Sequence, residues 1–155
     1  MKRMRKITPR APMLVQRGLC NTEIETVERM ALQAFIGGWA TTEHFNMLAN
    51  MHSLLVLAGS TDKSREWARN YAQTVVGPAL QKIAERYKRQ NVMSVTTGER
   101  KVLGEFISMN REFWLRQPSE LFEVTCVSLK QYHQELAARS QKERPCTNAP
   151  SQVPM

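Results

Sequence analysis

The chain has 155 residues, a formal net charge of +8 and 42% hydrophobic residues. That supports one packed domain and excludes a disordered chain, and the longest mid-chain apolar run, Leu54–Ala58, falls far short of the roughly 20 residues of a membrane-spanning helix. Cys20, Cys126 and Cys146 stand far apart with no CxxC pair, so neither a zinc site nor a redox motif has support and reduced cytoplasmic thiols are expected.

Residues 1–20 read as a basic, extended arm. Lys2, Arg3, Arg5, Lys6, Arg10 and Arg17 supply six positive charges, no acid precedes Glu23, and only +2 of the net charge is left for the remaining chain. Pro9 and Pro12 push the residues before them away from helical geometry. Met13-Leu14-Val15 suits either a short strand or packing against the folded body. It is too short for the apolar region of about 7–15 residues in a signal peptide. Leu19 before Cys20 also departs from a lipoprotein site, so export is not expected and the location is read as cytoplasmic.

The stretch from Thr22 to Gly59 predicts two helices joined by a tight turn. Thr22-x-x-Glu25 forms a capping box, in which each side chain satisfies a free backbone donor of the other residue. Ile24, Val27, Ala31, Leu32, Phe35 and Ile36 recur at helical spacing, and Gly37-Gly38 ends the run. The second helix opens at Thr41 or Thr42, carries Phe45, Leu48, Met51, Leu55 and Ala58 on one stripe, and stops at Gly59. Met47, Met51, Trp39 and Leu54–Ala58 are more apolar than one thin stripe requires. Bundle core, a homodimer face and a docking groove all accommodate the excess.

Ser60-Thr61-Asp62 cap a third helix through Trp67, Tyr71 and Val75 to Gly77-Pro78. At about 100° per residue, that stripe and Leu80/Ile83/Tyr87 point about 150° apart, which predicts a sharp bend or two helices at the proline. Thr96-x-x-Glu99 is a second capping box, opening a helix with Leu103, Phe106, Ile107, Met109, Phe113 and Trp114. Pro118 marks its end and suits the start of a last helix with Phe122, Leu129 and Leu136 at seven-residue steps. From Ser140 the chain has three prolines and no apolar period, and it reads as a disordered tail.

The expected fold is therefore all-α: a single bundle of five or six helices over residues 21–139, with the basic arm at 1–20 and the tail at 140–155. Its expected core is Val27, Leu32, Phe35, Ile36, Phe45, Leu48, Leu55, Trp67, Tyr71, Ile83, Leu103, Phe106, Phe113, Phe122, Leu129 and Leu136.

Candidate chemistry is sparse. His44 and His52 are eight apart, about 12 Å along a helix, whereas a helical metal pair uses four-residue spacing. Cys126 and His133 are separated by about 10 Å of rise, too far for a thiol and its base. No glycine-rich phosphate loop is present, and no carboxylate pair is brought together by spacing. The expectation is a protein that is not an enzyme and uses no cofactor or metal. The Thr22–Gly59 pair resembles a helix–turn–helix only in outline. No Lys or Arg lies between Arg29 and Lys63 to hold phosphates, and Gly37, Glu43 and His44 fall where that motif wants buried apolar residues.

Basic residues offer a better route to nucleic acid. Lys82, Arg86 and Arg89 fall at i, i+4 and i+7 with Lys88 beside them, Glu85 interrupts the cluster, and Arg100-Lys101 follow across a short loop. With the arm, they form a track for a phosphate backbone, of low sequence specificity. The competing expectation is a host or phage protein as partner.

The segments ALQAFIGGWATTEHFNMLANMHSLLVLA (Ala31–Ala58) and TTGERKVLGEFISMNREFW (Thr96–Trp114) resemble a group of short uncharacterised proteins encoded by proteobacterial phages, plasmids and integrated elements. The likeness spans residues 8 to about 135 and rests on apolar spacing, the proline-containing basic arm and the two Thr-capped helices. It implies a mobile-element accessory protein and brings no catalytic residues with it.

Overall fold

The structure, a computed structural model, describes residues 20–143, with side chains from Thr26 onward. Residues 1–19 of the expected arm and 144–155 of the expected tail lie outside the described residues, as do the side chains of Thr22 and Glu25; the first helix already holds Cys20, before the expected start at Thr22, and the last runs to Lys142, past the expected end at 139. Helix α1 is Cys20–Gly37 and α2 is Thr42–Gly59. A 3₁₀ turn, Lys63–Arg65, leads into α3, Glu66–Tyr71, which continues through a π turn, Ala72–Val76, into α4, Gly77–Gln90. Helices α5, Thr97–Leu115, and α6, Ser119–Lys142, complete the described chain, which contains no strand. The α3–π–α4 segment is one continuous rod, so the described fold is an all-α bundle of five rods.

The two glycines after Phe35-Ile36 act as expected. Gly38 takes a left-handed φ of 76°. Its N–H donates to the Phe35 carbonyl at 3.3 Å, and the Trp39 N–H to Ala34 at 3.0 Å. This crossed pair is a Schellman motif, which satisfies the last carbonyls of α1 and turns the chain sharply. Thr41 caps α2, and His44 takes the place of the usual glutamate: its Nδ1 accepts from the Thr41 N–H at 3.0 Å.

Helix α2 lies at the centre, packed on α1, α3 and α6, while α5 packs on α1 and α4. Leu48, Leu55, Val76, Ile83, Leu103, Phe106 and Ile107 are fully buried between these rods. Phe35, Phe113 and Leu129 are buried as expected, and Leu32, Phe45, Tyr71 and Phe122 pack half-buried at the margin. One hydrogen bond crosses the interior between rods, and a second within α5 supports it. Asn110 donates to the Glu28 carboxylate at 3.1 Å and accepts from the Trp114 indole at 3.0 Å, joining α1 to α5.

Gly77-Pro78 does not divide the chain into two separate helices, and the reason is the choice of stripe. The buried row is Ala68, Ala72, Val76, Leu80 and Ile83, while Trp67 and Val75 are 53% and 39% exposed. Four-residue steps drift by about 40° each on an α-helix, and a π turn, with more residues per turn, takes up that drift. The Gly77 N–H reaches back five residues to the Ala72 carbonyl, and backbone dihedrals stay helical throughout. His52 on α2 donates Nε2–H to the same carbonyl at 2.9 Å, and this second hydrogen bond ties the π turn to α2. Burial pushes the pKa of the His52 ring below its usual value, only partly offset by this hydrogen bond.

Trp67 is displaced from the seam because α3 approaches α2 too closely. A Cβ at Gly59 would lie 2.6 Å from the Arg69 backbone nitrogen and Cβ, so a glycine is required at the contact where α3 meets the end of α2. Trp67 sits at its rim, edge-on to Phe113 at 5.9 Å. Val27, at 38% exposed, and Leu136, at 41%, also leave the expected core. For Leu136 the cause is length: every residue of α6 from Lys130 on is exposed, because no other described element extends beside it.

Candidate nucleic-acid interface

The end of α4 and the start of α5 are joined by a part-buried ion pair. Asn91, in left-handed conformation (φ 52°), ends α4. Met93 is buried and anchors the short connection, and Thr96 then caps α5. The Glu99 N–H donates to Thr96 Oγ1 at 3.2 Å, and the Thr96 N–H donates to Glu99 Oε2 at 2.9 Å. Arg86 closes the arrangement from α4. Its Nη2 donates to Glu99 Oε1 at 2.7 Å, and its Nη1 to Glu99 Oε2 at 3.0 Å and to the Ser94 carbonyl at 2.7 Å. Burial alone would push the Glu99 pKa up. The Arg86 guanidinium and the Thr96 donors outweigh it and hold the carboxyl below its usual range. The same contact raises the pKa of Arg86.

Arg86, read from sequence as a phosphate contact, is thus engaged with Glu99 and Ser94 and acts as a strut. The residues around it are differently placed. Lys82, Lys88, Arg89, Arg100 and Lys101 are all exposed. Among the described residues none of the five has a carboxylate partner, and Glu85 accepts from Gln81 instead. Lys82 and Arg89 flank the strut on its own helix face, and Arg100-Lys101 directly follow Glu99. The ion pair therefore gathers the two groups of cations at one end of the bundle. Lys2, Arg3, Arg5, Lys6, Arg10 and Arg17 lie outside the described residues.

Beside this corner an open groove of about 790 Å³ runs between α1 and α5. Its walls include Leu32 and Ile36 from the last turns of α1, Thr97, Arg100 and Lys101 from the start of α5, and Glu105 and Glu112 further along it. The Schellman turn returns Trp39 to this end of α1. Its indole is 57% exposed, meets His44 edge-on at 5.3 Å, and covers Gly37, where a Cβ would lie 2.5 Å from Nε1. By sequence alone Trp39 is only surplus apolar surface. The signal that places it was a glycine pair followed at once by an aromatic residue.

The remaining candidates do not assemble. His44 caps α2 and His52 holds the π turn, and Cys126 is half-buried while His133 is exposed. Among the described residues no group of three or more His, Cys, Asp or Glu side chains is placed to hold a metal ion. The chain matches no family model, no curated protein and no solved structure. No described helix is long and apolar enough to cross a membrane.

Proposed function

We propose that this protein is a non-enzymatic accessory binding protein of the kind carried by phages and mobile elements, and that it contacts nucleic acid through the phosphate backbone. The observation that carries this reading is the corner built around Arg86–Glu99. Between Lys82 and Lys101 six cations face two carboxylates, and the one part-buried pair uses a single cation. Five exposed cations stay free to displace counterions, the term that dominates non-specific nucleic-acid affinity. The basic arm adds to the same attraction. A protein partner is the second reading, favoured by the outer face of α6, where Val124 and Val127 are 61% and 56% exposed.

The test is binding of labelled duplex DNA, single-stranded DNA and RNA across a salt series, with the intact chain and a variant carrying Lys82→Gln, Arg89→Gln, Arg100→Gln and Lys101→Gln. Binding should weaken steeply with salt. On duplex, the log–log slope should become shallower by about 0.9 for each phosphate contact removed. Removing residues 1–17 should lower it further. No binding at low salt would reject the reading and move the search to a protein partner.

A further inference from the structure

We infer that Trp39 is a base-stacking platform beside the basic corner, and that the nucleic acid this protein prefers is single-stranded. The inference rests on the nucleic-acid reading above and adds the class of strand. Three observations carry it. The first is exposure: the indole is 57% exposed, whereas Trp114 is buried against Asn110 and Phe122. The second is fixation. The backbone N–H of Trp39 is held by Ala34, the ring rests over a glycine that leaves room for no side chain, and His44, held by its bond to Thr41, braces it edge-on. A ring already held in place loses little further freedom when a base stacks on it. The third is location. Ile36, three residues before Trp39, lines the groove whose near end holds Thr97, Arg100 and Lys101, with Glu105 and Glu112 further along α5. Cations that follow a backbone next to an exposed aromatic face are the two parts of a single-strand site. In a duplex the base faces are stacked on one another and not available to an indole, so duplex would use the cations alone.

Labelled oligo(dT) and a duplex of equal length would be titrated by anisotropy with the full chain and its Trp39→Ala and Trp39→Phe variants. The wild type should bind the single strand more tightly than the duplex. Trp39→Ala should weaken single-strand binding by about 5- to 150-fold, while duplex binding and the salt slope stay as they were. Trp39→Phe should retain most of the affinity. A second readout does not depend on the alanine variant folding. In a Trp67→Phe chain the emission of Trp39 should be quenched by oligo(dT) and not by duplex, with Trp114 shielded at 4% exposed. Single-strand affinity within twofold of wild type for Trp39→Ala, equal losses on both strands, or no quenching would overturn the stacking role and leave the phosphate reading standing. Failure of the wild type to bind either nucleic acid would overturn both. A salt-resistant complex with a protein that is lost in Trp39→Ala, with oligonucleotide binding intact, would assign the indole to a protein interface instead.

Discussion

Glu99→Gln tests the strut at the basic corner. The substitution keeps the size of the side chain and one carbonyl oxygen, but removes the negative charge that faces Arg86 across 2.7 and 3.0 Å. Glu99 is 7% exposed and Arg86 18%, so the pair is largely removed from water and its loss is not masked by solvent screening. Breaking a buried pair costs about 3–5 kcal/mol because a charge is left without its partner. Arg86 keeps its bond to the Ser94 carbonyl and can turn partly toward water, which points to the low end, about 3 kcal/mol. The Thr96 cap weakens as well, since its N–H loses a charged acceptor.

The pH dependence has a definite sign. Glu99 has a folded pKa below its unfolded value, so its stabilisation is present above that value, about 4.3, and is lost as pH falls through the folded pKa. Arg86 stays charged throughout. Urea unfolding of wild type and variant should therefore differ by about 3 kcal/mol at pH 7, and the two curves should converge as pH falls through the depressed folded pKa of Glu99 and its carboxylate is neutralised. A gap under about 0.5 kcal/mol at pH 7, the range of an ordinary surface substitution, would refute the account. So would a gap that does not shrink in acid.

Three further outcomes follow from the packing. Phe106→Ala removes the largest fully buried side chain and should cost about 3–5 kcal/mol by urea or thermal unfolding monitored by circular dichroism. Gly59→Ala should destabilise by about 1–3 kcal/mol despite alanine's better helix propensity, because its Cβ would meet the Arg69 backbone at 2.6 Å; a more stable variant would contradict the close α2–α3 seam. For His52 the pKa is depressed by burial, so its stabilisation is full above the unfolded value, about 6.5, and declines as pH falls below it. His52→Gln should flatten that part of the stability–pH profile, and an unchanged profile would show that another group titrates there.

Much of the fold is legible in local chemistry. Glycine pairs, threonine caps and the three- and four-residue apolar steps mark where helices begin and end because each acts within one or two turns. The Thr96–Glu99 box and the Gly37–Gly38 stop both appear where the sequence places them. Lys82, Lys88 and Arg89 could be read as one cluster because a helix carries its own periodicity.

Contacts between rods are decided elsewhere. Nothing local distinguishes Trp67 from Ala68 as the buried neighbour. The close approach at Gly59 chooses the alanine, and the π turn then keeps one face buried past Pro78. Nothing local assigns Arg86 to Glu99 either, 13 residues away, or tells which cations remain free. Sequence by itself determined that the chain folds as helices and that its positive charge is concentrated in the arm and around residues 82–101. Tertiary structure alone decided which aromatic residues stay exposed, Trp39 and Trp67 among them, because exposure is what remains after the other rods have taken their share of each surface.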